Sequence, residues 1–151
     1  MFLVEEIAKV SVTDMAKWIK AIPFEDWPQQ RPLDDGQLRP SMVTNTDWHG
    51  FGEKISFLME ILTPESFIYY QPMLSVVMPG HSIEPHKDQQ PDHWKYRVHI
   101  PLQTNTKAFL IMKKEKFNLK VGKAYKVNVR ETHSIVNNGK TPRIHFMFDV
   151  K

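Results

Sequence analysis

Cysteine is absent from the 151 residues, which excludes disulfides and thiolate metal sites and leaves nitrogen and oxygen as the only ligands for a metal. No segment approaches the ~18 consecutive apolar residues of a membrane span, and Met1–Glu6 lacks the basic region and apolar run of a signal peptide. A cytoplasmic protein with no membrane contact is expected. A polybasic surface is also missing: 20 Lys+Arg against 17 Asp+Glu leave a net charge of +3, enough to favour an anionic co-substrate and far short of a nucleic-acid-binding face. Repeats and low-complexity segments do not occur. A chain of this length is one domain by the usual prior and buries roughly 70% of its unfolded surface.

The first half is read as helices and loops. Thr13 or Asp14 can cap a helix whose apolar face is Met15, Trp18, Ile19 and Ile22, with Pro23 ending it. Pro23, Pro28, Pro32 and Pro40, with Asp34-Asp35-Gly36, make Phe24 to Ser41 an ordered loop with turns, which Trp27 can anchor. Phe51, Ile55, Leu58, Met59 and Leu62 predict a second helix from about Gly50 to Leu62, and Thr63-Pro64-Glu65 reads as the start of a short third. Trp18, Phe57 and Phe67 are expected in the core.

From Gln71 onward the pattern changes to short strands broken at Pro79-Gly80, Thr104-Asn105, Val121-Gly122 and Asn138-Gly139. Helices followed by strands argue for an α+β fold, a sandwich or jelly roll with helices covering one face. In Tyr96–Leu102 and Arg143–Val150 one face is wholly apolar: Val98, Ile100 and Leu102, then Ile144, Phe146, Phe148 and Val150. The opposite faces carry Arg97 and His99, and Arg143 and His145, a set that suits either solvent or an interior cavity. Lys113, Lys114 and Lys116, with Lys120, Lys123 and Lys126, read as a lysine-protected sheet edge.

Chemistry concentrates in Leu74–Asp88. Residues two apart on an extended chain share a face, so His86 and Asp88 can reach one bound atom while Lys87 points away. A second histidine completes the facial triad of non-haem Fe(II), which leaves coordination positions open; His133, on a short strand running into the Asn138-Gly139 turn, is the best candidate. Glu84 is a rival carboxylate, but Pro85 between it and His86 bends the strand, so Asp88 is favoured. His49, His81 and His145 read as structural residues or as supports behind the ligands.

The ordered series Ser-x-x-x-Pro-Gly, Pro-His-x-Asp, Arg-x-His-Ile-Pro-Leu, His-Ser-x-x-Asn-x-Gly and Arg-Ile-His-x-Met-Phe-Asp-Val spans about Met73 to Val150. It resembles the aspartyl/asparaginyl β-hydroxylase family of Fe(II)- and 2-oxoglutarate-dependent dioxygenases. The resemblance implies a double-stranded β-helix, cupin-like, with the N-terminal helices packed on one sheet. A single dioxygenase domain over 1–151 is expected, with 1–70 as mostly helical and loop support and 71–151 as the β-helix core. His86, Asp88 and His133 match the iron ligands, and Arg143 matches the arginine that pairs with the distal carboxylate of 2-oxoglutarate. Ser75, Arg97 and His99 match further co-substrate contacts. The segment from Gln89 to Lys95 is longer than in the family pattern, and its His93 and Trp94 are placed to touch the prime substrate. The implied reaction uses Fe(II), 2-oxoglutarate and O2, with ascorbate as the reductant in vitro. Hydroxylation of an amino-acid side chain in a peptide or protein is the leading expectation; a free amino acid or other small molecule, and a non-catalytic metal-binding module, are the alternatives.

Overall fold

Ten strands drawn from both halves of the chain build two antiparallel sheets; the computed structural model describes residues 2–28, 41–88 and 94–151. The order is β1 (Val4–Lys9), α1 (Thr13–Ala21), β2 (Ser41–Val43), α2 (Phe51–Leu62), β3 (Tyr69–Val77), β4 (Ser82–His86), β5 (Tyr96–Gln103), β6 (Ala108–Met112), β7 (Glu115–Phe117), β8 (Lys123–Val127), β9 (His133–Asn137) and β10 (Arg143–Val150). The larger sheet runs β1-β8-β5-β10-β3-β2 and the smaller β4-β9-β6-β7. From β3 onward successive strands alternate between the sheets, apart from the β6–β7 hairpin within the smaller one, giving the double-stranded β-helix expected from the resemblance.

Alternation decides where the core lies. Val98, Ile100, Leu102, Ile144, Phe146, Phe148 and Val150 all point to one face of the larger sheet and pack under Met15 and Ile19 of α1 and Phe51, Ile55, Leu58 and Met59 of α2. Phe51 meets Phe146 edge-on at 5.9 Å, and Trp18 stacks on Phe51. A second cluster, with Val77, Leu110, Met112, Tyr125, Val127, Val129 and Ile135, fills the space between the sheets.

Several sequence expectations need correction. Val12, not Thr13 or Asp14, occupies the cap of α1 without a side-chain hydrogen bond, because burying its apolar side chain prevails over capping; Asp14 still favours the helix dipole from the first turn. Phe57 is half exposed: 200° around the helix from Ile55, it faces away from the buried stripe along with Ile61. The expected helix after Thr63 does not form. The Thr63 hydroxyl donates to the Met59 carbonyl at the end of α2, and Ile68 exchanges both main-chain hydrogen bonds with Lys151, so the sheet takes the chain at once.

The N-terminal half also supplies β1 and β2, the two edges of the larger sheet, which hydrophobic patterning did not reveal. Trp27 is buried against Trp48 at 5.0 Å, anchoring the start of the proline-rich loop; residues 29–40 of that loop lie outside the described residues. The lysines divide. Lys116 lies on β7, an edge of the smaller sheet, and Lys113 and Lys114 form the turn before it with φ of 47° and 67°. Lys123 and Lys126 instead sit on the interior strand β8, paired with Glu6 and Glu5 of β1.

Candidate active site

The inner faces of the sheets bound a cavity of about 370 Å³ lined by Ser75, Arg97 and His99 from the larger sheet and His86, Asp88 and His133 from the smaller side. Met42, Met73, Ile83, Val129, Ile135 and Met147 complete an apolar wall that sequence reasoning did not single out. The polar faces of β5 and β10 therefore turn inward, which resolves the choice between solvent and cavity left open above.

His86 and His133 are directly opposite in the β4–β9 register, with ring centroids 4.3 Å apart. A carbonyl can only accept, so His86 Nδ1 donates to Glu84 O at 2.7 Å and His133 Nδ1 donates to Glu131 O at 2.8 Å. Each Nε2 is left with its lone pair aimed at Asp88, whose Oδ1 is 3.3 Å from His86 Nε2 and whose Oδ2 is 3.7 Å from His133 Nε2. Asp88 follows β4, and its main-chain N–H is tied to Val129 O. One ligand atom from each of His86, Asp88 and His133 falls within 4.8 Å of the others, so the three could hold one ion. Two neutral imidazoles and a carboxylate, with the histidine tautomers set by main-chain acceptors, suit a divalent transition metal such as Fe(II). The Glu84 carboxylate stays exposed and outside this cluster; Glu84 contributes its carbonyl instead.

The electrostatics follow from burial and pairing. Only when protonated can His86 Nε2 donate to Asp88, and that bond favours the charged form and raises the pKa of His86 despite burial. Burial pushes Asp88 upward, but His86 and the charge of Arg97 outweigh it and hold the carboxyl below its ordinary value. Burial pulls His133 below its usual range, keeping it available as a neutral donor of an electron pair.

Arg97 lines the cavity, but its nearest partners are carboxylates: Nη1 donates to Asp88 Oδ2 at 2.6 Å, and Nε and Nη2 donate to Asp149 at 2.8 and 3.1 Å. Asp149 is fully buried, and sequence reasoning gave it no role. Its signal was available, because it shares the parity of Arg143 and His145 along β10 and so belongs to the inward face. His145 stands opposite Ser75, and its Nδ1 lies 3.2 Å from Nδ1 of His99; both rings are buried and both Nε2 atoms lack a hydrogen-bond partner among the described residues. Burial, reinforced by the Arg143 charge, depresses both histidines well below the ordinary value.

Arg143, two residues from His145, is 2% exposed with neither Nη1 nor Nη2 paired among the described residues. Burial lowers its pKa to about 9, which leaves it a cation at neutral pH. A buried guanidinium with both prongs free fits a carboxylate from outside the chain. Trp94 packs against Tyr70 at 5.5 Å and is not on the cavity wall; His93 lies outside the described residues. His49 pairs with Asp26, and the His81 side chain is not part of the cluster.

This architecture is that of the Fe(II)- and 2-oxoglutarate-dependent oxygenases. A viral collagen prolyl hydroxylase from Paramecium Bursaria Chlorella virus-1, solved with 2-oxoglutarate, superposes over 99% of this chain and 96% of its own with a TM-score of 0.64 at 13% identity. The carbocyclase SnoK from nogalamycin biosynthesis gives 0.70 over 97% and 78% at 10% identity. A 2-oxoglutarate-Fe(II) oxygenase family oxidoreductase from Burkholderia pseudomallei gives 0.66 over 98% and 85% at 10% identity. These likenesses establish the fold. No curated protein matches the chain. The model of the aspartyl/asparaginyl beta-hydroxylase family matches residues 51–151, and the chain belongs to that family.

Proposed function

We propose that this protein is a hydroxylase of an amino-acid side chain, of Asp, Asn or Pro type, in a peptide or protein, with His86, Asp88 and His133 holding Fe(II) and Arg143 anchoring 2-oxoglutarate. The observation that carries the co-substrate assignment is Arg143 itself, a buried cation with both Nη atoms unpaired among the described residues. A non-catalytic metal-binding module would have no use for such a group. The family description supports an amino-acid side chain as the target.

Bound Fe(II) and 2-oxoglutarate supply the activation of O2 and the oxidation of a C–H bond to an alcohol, with succinate and CO2 as co-products. The chain supplies position and charge. Main-chain carbonyls of Glu84 and Glu131 fix the tautomers of His86 and His133. Arg143 neutralises the distal carboxylate; Ser75 and His99 line the cavity wall, which among the described residues does not include Arg143. Met73, Ile83, Ile135 and Met147 exclude water from the reacting space.

Calorimetric titration of 2-oxoglutarate into Mn(II)-loaded protein tests this reading. Arg143→Lys keeps the charge but gives up one prong and should weaken binding by about tenfold to a hundredfold, and Arg143→Ala by more, given about 1.5–3 kcal/mol for a charge-assisted hydrogen bond. Metal affinity in the absence of 2-oxoglutarate should stay at the parent value. Parental 2-oxoglutarate binding in both variants would remove Arg143 as the anchor. Turnover is then read as succinate formation and a gain of one oxygen on peptide substrates, with ascorbate present.

A further inference from the structure

We propose that Asp149 is a positioning residue for the metal centre, gripping Arg97 so that Arg97 holds one oxygen of Asp88 and leaves the other to the ion. The inference rests on the reading of His86, Asp88 and His133 as the metal ligands. Asp149 does not belong to that cluster and does not line the cavity, so its contact with the ligands runs through another group.

Register creates the grip. Asp149 on β10 is directly opposite Arg97 on β5, and both project between the sheets. The Asp149 carboxylate takes Arg97 Nε at 2.8 Å and Nη2 at 3.1 Å along one edge of the planar guanidinium. That two-point contact fixes the plane and aims Nη1 across to the smaller sheet's side, where it donates to Asp88 Oδ2 at 2.6 Å. Asp88 Oδ1 remains turned toward His86 Nε2 at 3.3 Å, on the ligand side. An ion at the cluster is thus offered a carboxylate with one oxygen already engaged, which favours ligation through Oδ1 alone.

Charge gives Asp149 a second effect. Asp88, Arg97 and Asp149 together carry one net negative charge, and the two neutral histidine ligands add none. Were Asp149 uncharged, the same trio would be neutral, and Arg97 would spend its whole charge on Asp88 in competition with the metal. At partly buried sites such differences are screened weakly. An arginine beside a metal ligand is compatible with cation binding here because a buried carboxylate on the neighbouring strand balances it.

The test is calorimetric titration of Mn(II) into the metal-free 151-residue chain, without 2-oxoglutarate, for the parent, Asp149→Asn, Arg97→Gln and the double variant. Asp149→Asn should lose about tenfold or more in Mn(II) affinity, the scale of losses for residues behind metal ligands. In the Arg97→Gln background the same change should cost clearly less, because the grip on Asp88 runs through Arg97 and only the charge of Asp149 is left to lose. The visible spectrum of Co(II)-loaded protein should shift in Asp149→Asn and stay parental in Phe148→Leu, a core variant that only loosens packing. Parental Mn(II) affinity in Asp149→Asn, or equal losses in both backgrounds, would overturn the inference. Should Asp149→Asn fail to fold, Arg97→Lys, which keeps the charge but gives up the two-point grip, carries the test: an unchanged Co(II) spectrum overturns the proposal, and a shift supports it. Asp88→Ala separates this from the underlying reading, since parental Mn(II) binding there would mean that the ligand assignment itself is wrong.

Discussion

His86 and His133 sit directly opposite each other on antiparallel β4 and β9, and each donates Nδ1–H to the carbonyl of the residue two positions before it. Two histidines 47 positions apart thus arrive as a matched pair with both Nε2 atoms turned to one carboxylate. Strand pairing sets their distance and the main chain sets their tautomers, so the cluster is organised by the fold itself.

The carboxylate of that site is Asp88 in our reading, and Glu84 acts through its main chain. Asp88→Ala should reduce Mn(II) affinity by more than about a hundredfold, beyond the usual loss for residues behind the ligands. Glu84→Ala keeps the carbonyl that His86 uses and should leave affinity near the parent. Both variants should keep the parental circular dichroism spectrum. Equal losses in the two would mean that the carboxylate is misassigned.

Phe146 is wholly buried between the larger sheet and α2. Truncation to Ala should cost about 3–5 kcal/mol, the range for a core aromatic, measured by urea unfolding. A loss below about 1 kcal/mol would contradict the packing of α2 on this face.

The buried pair His99 and His145 makes a pH prediction. Both have folded-state pKa values well below the ordinary 6.5, so below that pH the unfolded chain binds protons that the folded chain refuses. Stability of the metal-free protein should therefore fall as pH drops below about 6.5, by up to about 1.4 kcal/mol per pH unit for each such histidine. His133 contributes in the same direction. Urea midpoints between pH 7.5 and 5.5 should show a flatter dependence in His99→Gln/His145→Gln than in the parent. An equal slope in both proteins would place the charge uptake elsewhere.

The local pattern was enough for the all-β second half, for the two-faced strands β5 and β10, and for the two helices with their buried stripes, because alternation at two residues and periodicity at 3.6 are properties of the nearest neighbours in the chain. The grouping of His86 with Asp88 was legible for the same reason. β1 and β2 were not legible: they are edge strands whose pairing partners β8 and β3 lie elsewhere in the chain, and Val4–Lys9 shows no alternation of its own. The short third helix failed because Thr63-Pro64 carries a start signal, while the pairing of Ile68 with Lys151 drew the chain into the sheet. Arg97 had the right face, but its partners depended on register: only the pairing of β5 with β10 puts Asp149 beside it, and only the stacking of the sheets puts Asp88 across from it. Which residues can face inward is a matter of short-range geometry; which of them meet is set by contacts between residues tens of positions apart, and those exist only once the two sheets have closed on each other.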